Sequence, residues 1–416
     1  FPGGEIELGH GTSSHEGDWR RLETLQRVVN GDIRLLCASM DALMLRMASP
    51  DLFKASILRL APGDRFGPDK LIRALVRMGY ERVEMVEGKG QCALRGSIVD
   101  CYPPSGSVAL RLEFFDDEVD SIRTFDCISQ RSQEKRASCV LAPATEVILS
   151  QSDMAAGAER MREAATQLGK ETSGEKPLFD DLPPLPEDDE ELPSFFDEQI
   201  TPRMQTAQVA AELDRHKERL LSDAEQLTGG VPLKRMRSWL PVVTDALYTL
   251  NDWYDAPYVF LVQPDQLRQR VEERSIGFRE DLRSAMERGD AVSAQEKLLL
   301  SYEEVMDSFH GHSLVAITEF LRGMGGIQPE VVIPVGSRGV AGYQNQVKVL
   351  REDCEKWRKE GWCVALLSGG VARGKRLTEA LSELGTPATF SENLMGNLIL
   401  GEVLVLPMTL SKGFIW

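Results

Sequence analysis

Leu110-Arg-Leu-Glu-Phe-Phe115, followed by Asp116-Asp-Glu118, is the stretch on which the fold reading depends. Its residues alternate with the period of two that a strand imposes, so successive side chains point to opposite faces. Leu112 and Phe114 share one face; Arg111, Glu113 and Phe115 share the other. On either side the same grammar continues: runs at 82–87, 92–102, 108–115 and 121–125 read as strands. They are separated by Gly88-Lys-Gly90, Pro103-Pro-Ser-Gly106 and Asp116-Asp-Glu118, which carry turn-forming residues. Meandering antiparallel pairing is the simplest arrangement of such runs. A helix at 69–78, ended by Gly79, precedes them, so the region reads as a separate α+β module.

If the Leu112 face is the core, Phe115 stands in solvent beside Arg111 and Glu113. An aromatic and a guanidinium side by side on a rigid strand is the composition of a protein-interface hot spot. The other reading is that Phe115, next to a turn, folds under it and packs. Arg95, in the turn Arg95-Gly-Ser-Ile-Val-Asp100, either supports the same face or pairs with an acid such as Asp100 or Glu113.

Upstream, Trp19, Leu22, Leu25, Val28 and Val29 recur at helical spacing and stop at Asn30-Gly31, a usual helix terminator. A short buried strand is expected at 33–37 and a helix at 41–47. Downstream, helices are expected at 152–168, 206–227, 241–250 and 264–288, with a buried strand at Tyr258-Val-Phe-Leu-Val262. Between the first two of these helices, in residues 176–202, Pro183, Pro184, Pro186 and Pro193 alternate with Asp180, Asp181, Glu187, Asp188, Asp189, Glu190 and Glu191, with Phe179, Phe195 and Phe196 as anchors that could pack on a domain. Pro blocks helix continuation and like charges extend the chain, so this stretch reads as a surface loop or linker, the other reading being a partner-binding acidic tail. From about residue 331 a helix at 346–360, a strand at 362–367, a helix at 376–384 and strands at 397–400 and 403–406 suggest a small, partly parallel sheet.

At 416 residues the chain exceeds the ~250 residues at which single cores stop growing, so several domains are expected. Its 42% apolar and 27% charged residues are those of ordinary globular proteins and exclude global disorder. No apolar run approaches the ~20 residues of a membrane span, and a cytoplasmic chain is expected. Neither end, Phe1-Pro2 or the apolar run closing at Trp416, reads as a natural terminus, so both are taken as cut. A net charge of −17 disfavours sequence-independent nucleic-acid binding by the surface as a whole. Seven cysteines without a Cys-x-x-Cys pair argue against a disulfide framework and a structural zinc site.

Gly369-Gly-Val-Ala-Arg-Gly-Lys375 follows an expected strand and opens an expected helix as a phosphate-binding loop does. The position after the Lys must then be Ser or Thr to ligate Mg²⁺, and Arg376 cannot do so. His310-Gly-His312 supplies two of the three or four ligands a metal needs and reads as surface. No catalytic motif and no metal or cofactor site is expected in this chain.

Arg95-Gly-Ser-Ile-Val-Asp-Cys-Tyr-Pro-Pro104, Leu112-Glu-Phe-Phe-Asp-Asp-Glu-Val-Asp-Ser-Ile-Arg123 and Ser129-Gln-Arg-Ser132, in that order and spacing, resemble the UvrA-contacting domain of bacterial transcription-repair coupling factors. The related excision protein UvrB shares the pattern, and Gln130-Arg131-Ser132 favours the coupling factor. Leu410-Ser-Lys-Gly-Phe414 extends the likeness towards the end of the chain. The resemblance implies an α/β protein. Its UvrB-like module, a degenerate helicase-type α/β layer, would span 1–57 and 147–330 and would be truncated at its amino end. The α+β UvrA-binding domain would be inserted at 58–146, and a small α/β domain, cut at its end, would follow at 331–416. It further implies that residues matching Arg95, Arg111 and Phe115 contact UvrA. RNA polymerase and DNA would be engaged through the parent protein, whose ATP- and Mg-dependent translocase would lie beyond residue 416. The chain would recruit UvrA to polymerase stalled at damage and restrain the parent motor. The alternative is a UvrB-like damage-loading ATPase, which needs helicase motifs that this sequence lacks.

Overall fold

The computed structural model describes all residues except 9–14, 172–201, 234, 289, 320–323, 325, 337, 341, 344–345, 394–398, 412 and 416, and at 15–16, 167–171, 202–213, 413 and 415 only the backbone is described. The chain divides into two compact units, Phe1–Ile327 and Gln328–Trp416.

The first unit opens with helices α1 (His15–Val29), α2 (Met40–Leu43) and α3 (Pro50–Ser56). An α+β module follows: β1 (Leu58–Leu60), α4 (Pro68–Arg77), β2 (Glu81–Arg82), β3 (Gln91–Arg95), β4 (Ile98–Cys101), β5 (Ala109–Phe115), β6 (Glu118–Phe125), β7 (Ser132–Lys135) and β8 (Cys139–Leu141). Strands β2 to β7 form one six-stranded sheet in chain order, antiparallel except for the β2–β3 pair. Helix α4 carries Leu71, Ile72 and Leu75 on one stripe and buries them against Cys92, Val99, Leu112, Phe114 and Ile122 of the sheet. Pro68 starts this helix where a missing N–H costs nothing, and Gly79 ends it at φ +86°. A Cβ at Gly79 would lie 2.9 Å from that of Thr145, so a side chain is excluded by space as well as by backbone. Strands β1 and β8 pair antiparallel, Leu58 opposite Leu141, so the module's two ends lie side by side, the geometry of an insertion.

The rest of this unit is mainly helical: α5 (Gln151–Glu171), α6 (Pro202–Thr228), α7 (Met236–Val243), α8 (Leu250–Trp253), α9 (Pro264–Glu287) and α10 (Tyr302–Ser308). Strands β9 (Tyr258–Val262) and β10 (Ser313–Ile317) pair in parallel. Small residues set the helix spacing: Ala158, Ala165 and Ala224 are fully buried in the α5–α6–α7 core with Met161, Leu220, Trp239 and Phe278. At Gly157 a Cβ would come within 2.7 Å of Val243, so α5 and α7 meet at a glycine.

Glu146, just past β8, anchors the module to the helices. It is buried against fully buried Arg21 of α1, which donates to both carboxylate oxygens at 2.5 and 2.9 Å, and it lies 3.3 Å from Arg237 of α7. Burial acts to raise its pKa, but the charges of Arg21 and Arg237 outweigh burial and hold the carboxyl below its usual range.

Several expected elements differ. Residues 33–37 form no strand, and Leu35 is 76% exposed. No described strand lies alongside to complete a ladder; the nearby backbone makes only isolated bridges, Leu45 to Leu299 and Met47 to Tyr248. The 92–102 run is a hairpin, β3 and β4, broken at Gly96, whose φ of +59° suits the turn. The helix expected at 241–250 lies instead at α7. Pro241 sits in its last turns, where it removes a single backbone bond, rather than at a helix start. Strand β9 has one face in solvent rather than being buried: Tyr258, Phe260 and Val262 are exposed while Leu261 packs inward. The acidic stretch expected at 176–202, with Phe179, Phe195 and Phe196, lies outside the described residues up to 201.

In the second unit, β11 (Arg338–Val340) pairs antiparallel with β15 (Gly413–Ile415). Between them come α11 (Val347–Lys359), β12 (Val364–Leu367), α12 (Val371–Glu383), β13 (Ala388–Phe390) and β14 (Val403–Leu406). Strands β12, β14 and β13 form a parallel sheet in that order. Leu350 and Cys354 of α11 and Leu381 of α12 pack with Val364 and Val403. Residues 397–398 of the strand expected at 397–400 lie outside the described residues, and Leu400 is in a turn.

Candidate functional site

On the sheet face opposite α4, strand register sets a charged cluster. Asp100 of β4 lies directly across from Arg111 of β5, so a short acid and a long base share one face at contact distance. Arg111 donates from Nε to Asp100 Oδ1 at 2.7 Å and from Nη2 to Oδ2 at 2.9 Å, a bidentate fork, and Arg95 Nη2 donates to the same Oδ2 at 2.8 Å. Asp100 is 1% exposed, so one buried carboxylate holds two guanidiniums and leaves the trio with a net positive charge. Water is largely excluded from the Asp100 carboxylate, which strengthens the charge-assisted bonds that Arg111 makes to it. The hydrogen bond to Asp100 is the main cause of the raised Arg111 pKa, so the group is a fixed cation.

The Arg111 guanidinium is fixed further by stacking 4.8 Å over the buried Phe125 ring and by donating from Nη1 to Gln130 O and Ser132 Oγ, each at 3.2 Å. Gln130, in the 126–131 turn between β6 and β7, adopts φ +59°, a left-handed conformation that costs a non-glycine residue about 1 kcal/mol. Its side chain offsets that: Oε1 accepts from Arg95 at 3.0 Å, while Nε2 donates to Cys127 O at 2.7 Å and Val86 O at 3.0 Å. Beside this, Ser121 Oγ donates to Glu113 at 2.8 Å, with Arg123 4.0 Å from the same carboxylate.

Phe115, on the same face and at the end of β5, is 80% exposed. The turn after it is braced, which answers whether the ring folds under. Asp116 takes φ +56°, and the backbone N–H groups of Phe66 and Gly67 both donate to Asp117 O at 2.9 Å. A Cβ on Gly67 would lie 2.7 Å from Asp117 Oδ1. The ring is thus displayed from a held backbone, with the two arginines along the same face.

The fold therefore brings Arg95 and Arg111 together on Asp100 and places Phe115 farther along the same face, at the end of β5. Asp100 emerged from the sequence only as one possible partner of Arg95, and its shared role depends on register. Gln130 was visible only as part of a motif; its left-handed backbone leaves no composition signal. Such an arrangement has no nucleophile or general base poised for chemistry. What it offers is a pre-formed cationic and aromatic contact surface.

The other candidate motifs have structural roles. Strand β12 is separated from α12 by only three residues, so Gly374 and Lys375 lie inside the helix rather than in a phosphate-binding loop. A Cβ at Gly374 would come within 2.5 Å of the Phe390 ring, over which Lys375 also lies at 5.8 Å. His312 Nε2 is 3.2 Å from Asp255, and no group of three or more potential metal ligands occurs among the described residues. No described helix is long and apolar enough to cross a membrane.

Comparison with known proteins matches residues 58–147 to the UvrB interaction domain family. Along 95% of its length the chain is 25% identical to the transcription-repair-coupling factor of Bacillus subtilis (strain 168), covering 30% of that protein. It is 24% identical, with the same coverage of each chain, to that of Staphylococcus epidermidis. The Haemophilus influenzae factor is 38% identical over 30% of this chain and 11% of its own length. The chain thus resembles transcription-repair coupling factors nearly end to end, while spanning about three-tenths of the length of the relatives it matches this way.

Proposed function

We propose that this chain is an amino-terminal, non-motor portion of a transcription-repair coupling factor, and that its 58–147 module recruits UvrA to RNA polymerase stalled at DNA damage. The observation that carries the reading is the pre-formed face of Arg95, Arg111 and Phe115 within the region matching the UvrB interaction domain. An aromatic in solvent on the same strand face as an arginine pair held by a buried carboxylate is what an interface anchor requires. In this reading, polymerase, DNA and the ATP- and Mg-dependent motor belong to parts of the parent protein outside this chain. Covering the face until the motor engages would spare the cell an exposed apolar patch and would couple recruitment to restraint of the translocase.

Pull-down of UvrA by the wild-type chain, Arg111→Ala and Phe115→Ala tests the assignment. Loss of a hot-spot side chain typically costs ~2 kcal/mol or more, about thirtyfold in affinity. Both variants are expected to lose capture; capture undiminished in both would refute the site.

A further inference from the structure

Ile128 is 96% exposed and Phe115 80%, and among the described residues of the first unit no large apolar side chain stands further into solvent than these two. Ile128 sits at the tip of the 126–131 turn, and that turn is tied to the arginine pair from which the proposed face is built. Gln130 accepts from Arg95 through its side chain and from Arg111 through its backbone oxygen. The turn is also closed on itself. Asp126 N donates to Arg131 O at 3.1 Å, Gln130 N to Asp126 O at 2.7 Å, and Ser129 N to Asp126 Oδ1 at 2.7 Å. Gln130 Nε2 then pins it to Cys127 O and, across the sheet, to Val86 O.

A β-branched aliphatic side chain fully in water on a loop fixed by that many bonds loses little conformational entropy when a partner covers it. We propose that the 126–131 turn is a second contact element of the UvrA-binding face, with Ile128 as an apolar anchor; this rests on the recruitment reading above. The surface then carries two apolar anchors, Phe115 at the β5–β6 hairpin and Ile128 at the β6–β7 turn, with the arginine pair held against the second turn. The partner surface it fits is an apolar patch bordered by carboxylates, because the trio of Arg95, Arg111 and Asp100 keeps a net positive charge.

Titrating UvrA with the wild-type chain, Ile128→Ala, Ile128→Asp and Phe115→Ala, with melting temperatures measured in parallel, tests this. Ile128→Ala is expected to weaken binding about tenfold and Ile128→Asp more, with melting unchanged, since the side chain touches nothing the fold depends on. Wild-type affinity in both Ile128 variants, while Phe115→Ala loses binding, would overturn the second contact and leave the recruitment reading standing. A well-folded wild-type chain that does not bind UvrA would overturn both.

Discussion

Arg111 and Asp100, paired across adjacent strands, are joined by two parallel hydrogen bonds of 2.7 and 2.9 Å, and the carboxylate beneath is 1% exposed. This pairing makes the face rigid before any partner arrives. It also makes Asp100 the residue whose loss is felt most widely, because Arg95 draws on the same oxygen as Arg111.

Asp100→Asn keeps the shape and removes the charge. Breaking one side of a buried pair costs ~3–5 kcal/mol, and because Arg95 is 45% exposed, water takes up part of its loss. Denaturant unfolding is expected to show a destabilisation of about 3 kcal/mol. A change below ~0.5 kcal/mol, the range of ordinary surface substitutions, would mean that Asp100 does not hold the pair.

Gly157→Ala sets two effects against each other. In an exposed helix the change is favourable by ~1 kcal/mol, but here the new methyl meets Val243 at 2.7 Å, including its backbone at 2.8 Å. Overpacking of this kind costs ~1–3 kcal/mol, so net destabilisation is expected by thermal melting. A raised melting temperature would mean that α5 and α7 have room to part.

Acid should weaken the helical core in two stages. His216, buried on α6, has its pKa lowered to about 4, chiefly by burial, with Asp290 pulling the other way. Between that value and the unfolded value of 6.5 the unfolded chain binds the extra proton, so stability falls as pH drops through this window. Over the whole window the loss is on the order of 3 kcal/mol. Glu146, whose pKa is lowered, contributes stability that is present above its unfolded pKa and lost as pH falls through its folded one, so it acts at the lower end. Urea midpoints at pH 7 and pH 5 for wild type and His216→Gln check the first stage. The variant should lose clearly less on acidification, and an equal loss would assign the effect to other groups.

Much of this was legible in the sequence wherever periodicity ran long enough to be unambiguous. Helix α1 and strand β5 follow from spacing, and the alternation in β5 already sorts Arg111 and Phe115 from Leu112 and Phe114; helices α5, α6 and α9 lie close to where they were expected. Strand β7 was missed because all four of its residues, Ser132–Lys135, are exposed at the sheet edge and carry no apolar pattern. The three-residue β13 is too short to show a period. The 33–37 run has apolar content but no partner strand, a condition set by tertiary neighbours. For the site, residue type pointed to Arg95, Arg111 and Phe115. The clamp formed by Asp100 and Gln130 arises from register and from one left-handed backbone, neither of which a single sequence displays.

The most direct measurement is a calorimetric titration of UvrA with this chain and with its Phe115→Ala variant. Because Phe115 is 80% exposed, the variant should melt within ~0.5 kcal/mol of wild type. Saturable binding by the wild type is expected, weakened about thirtyfold or more in the equally stable variant. Equal binding by both, or none by a well-folded wild type, would contradict the recruitment reading.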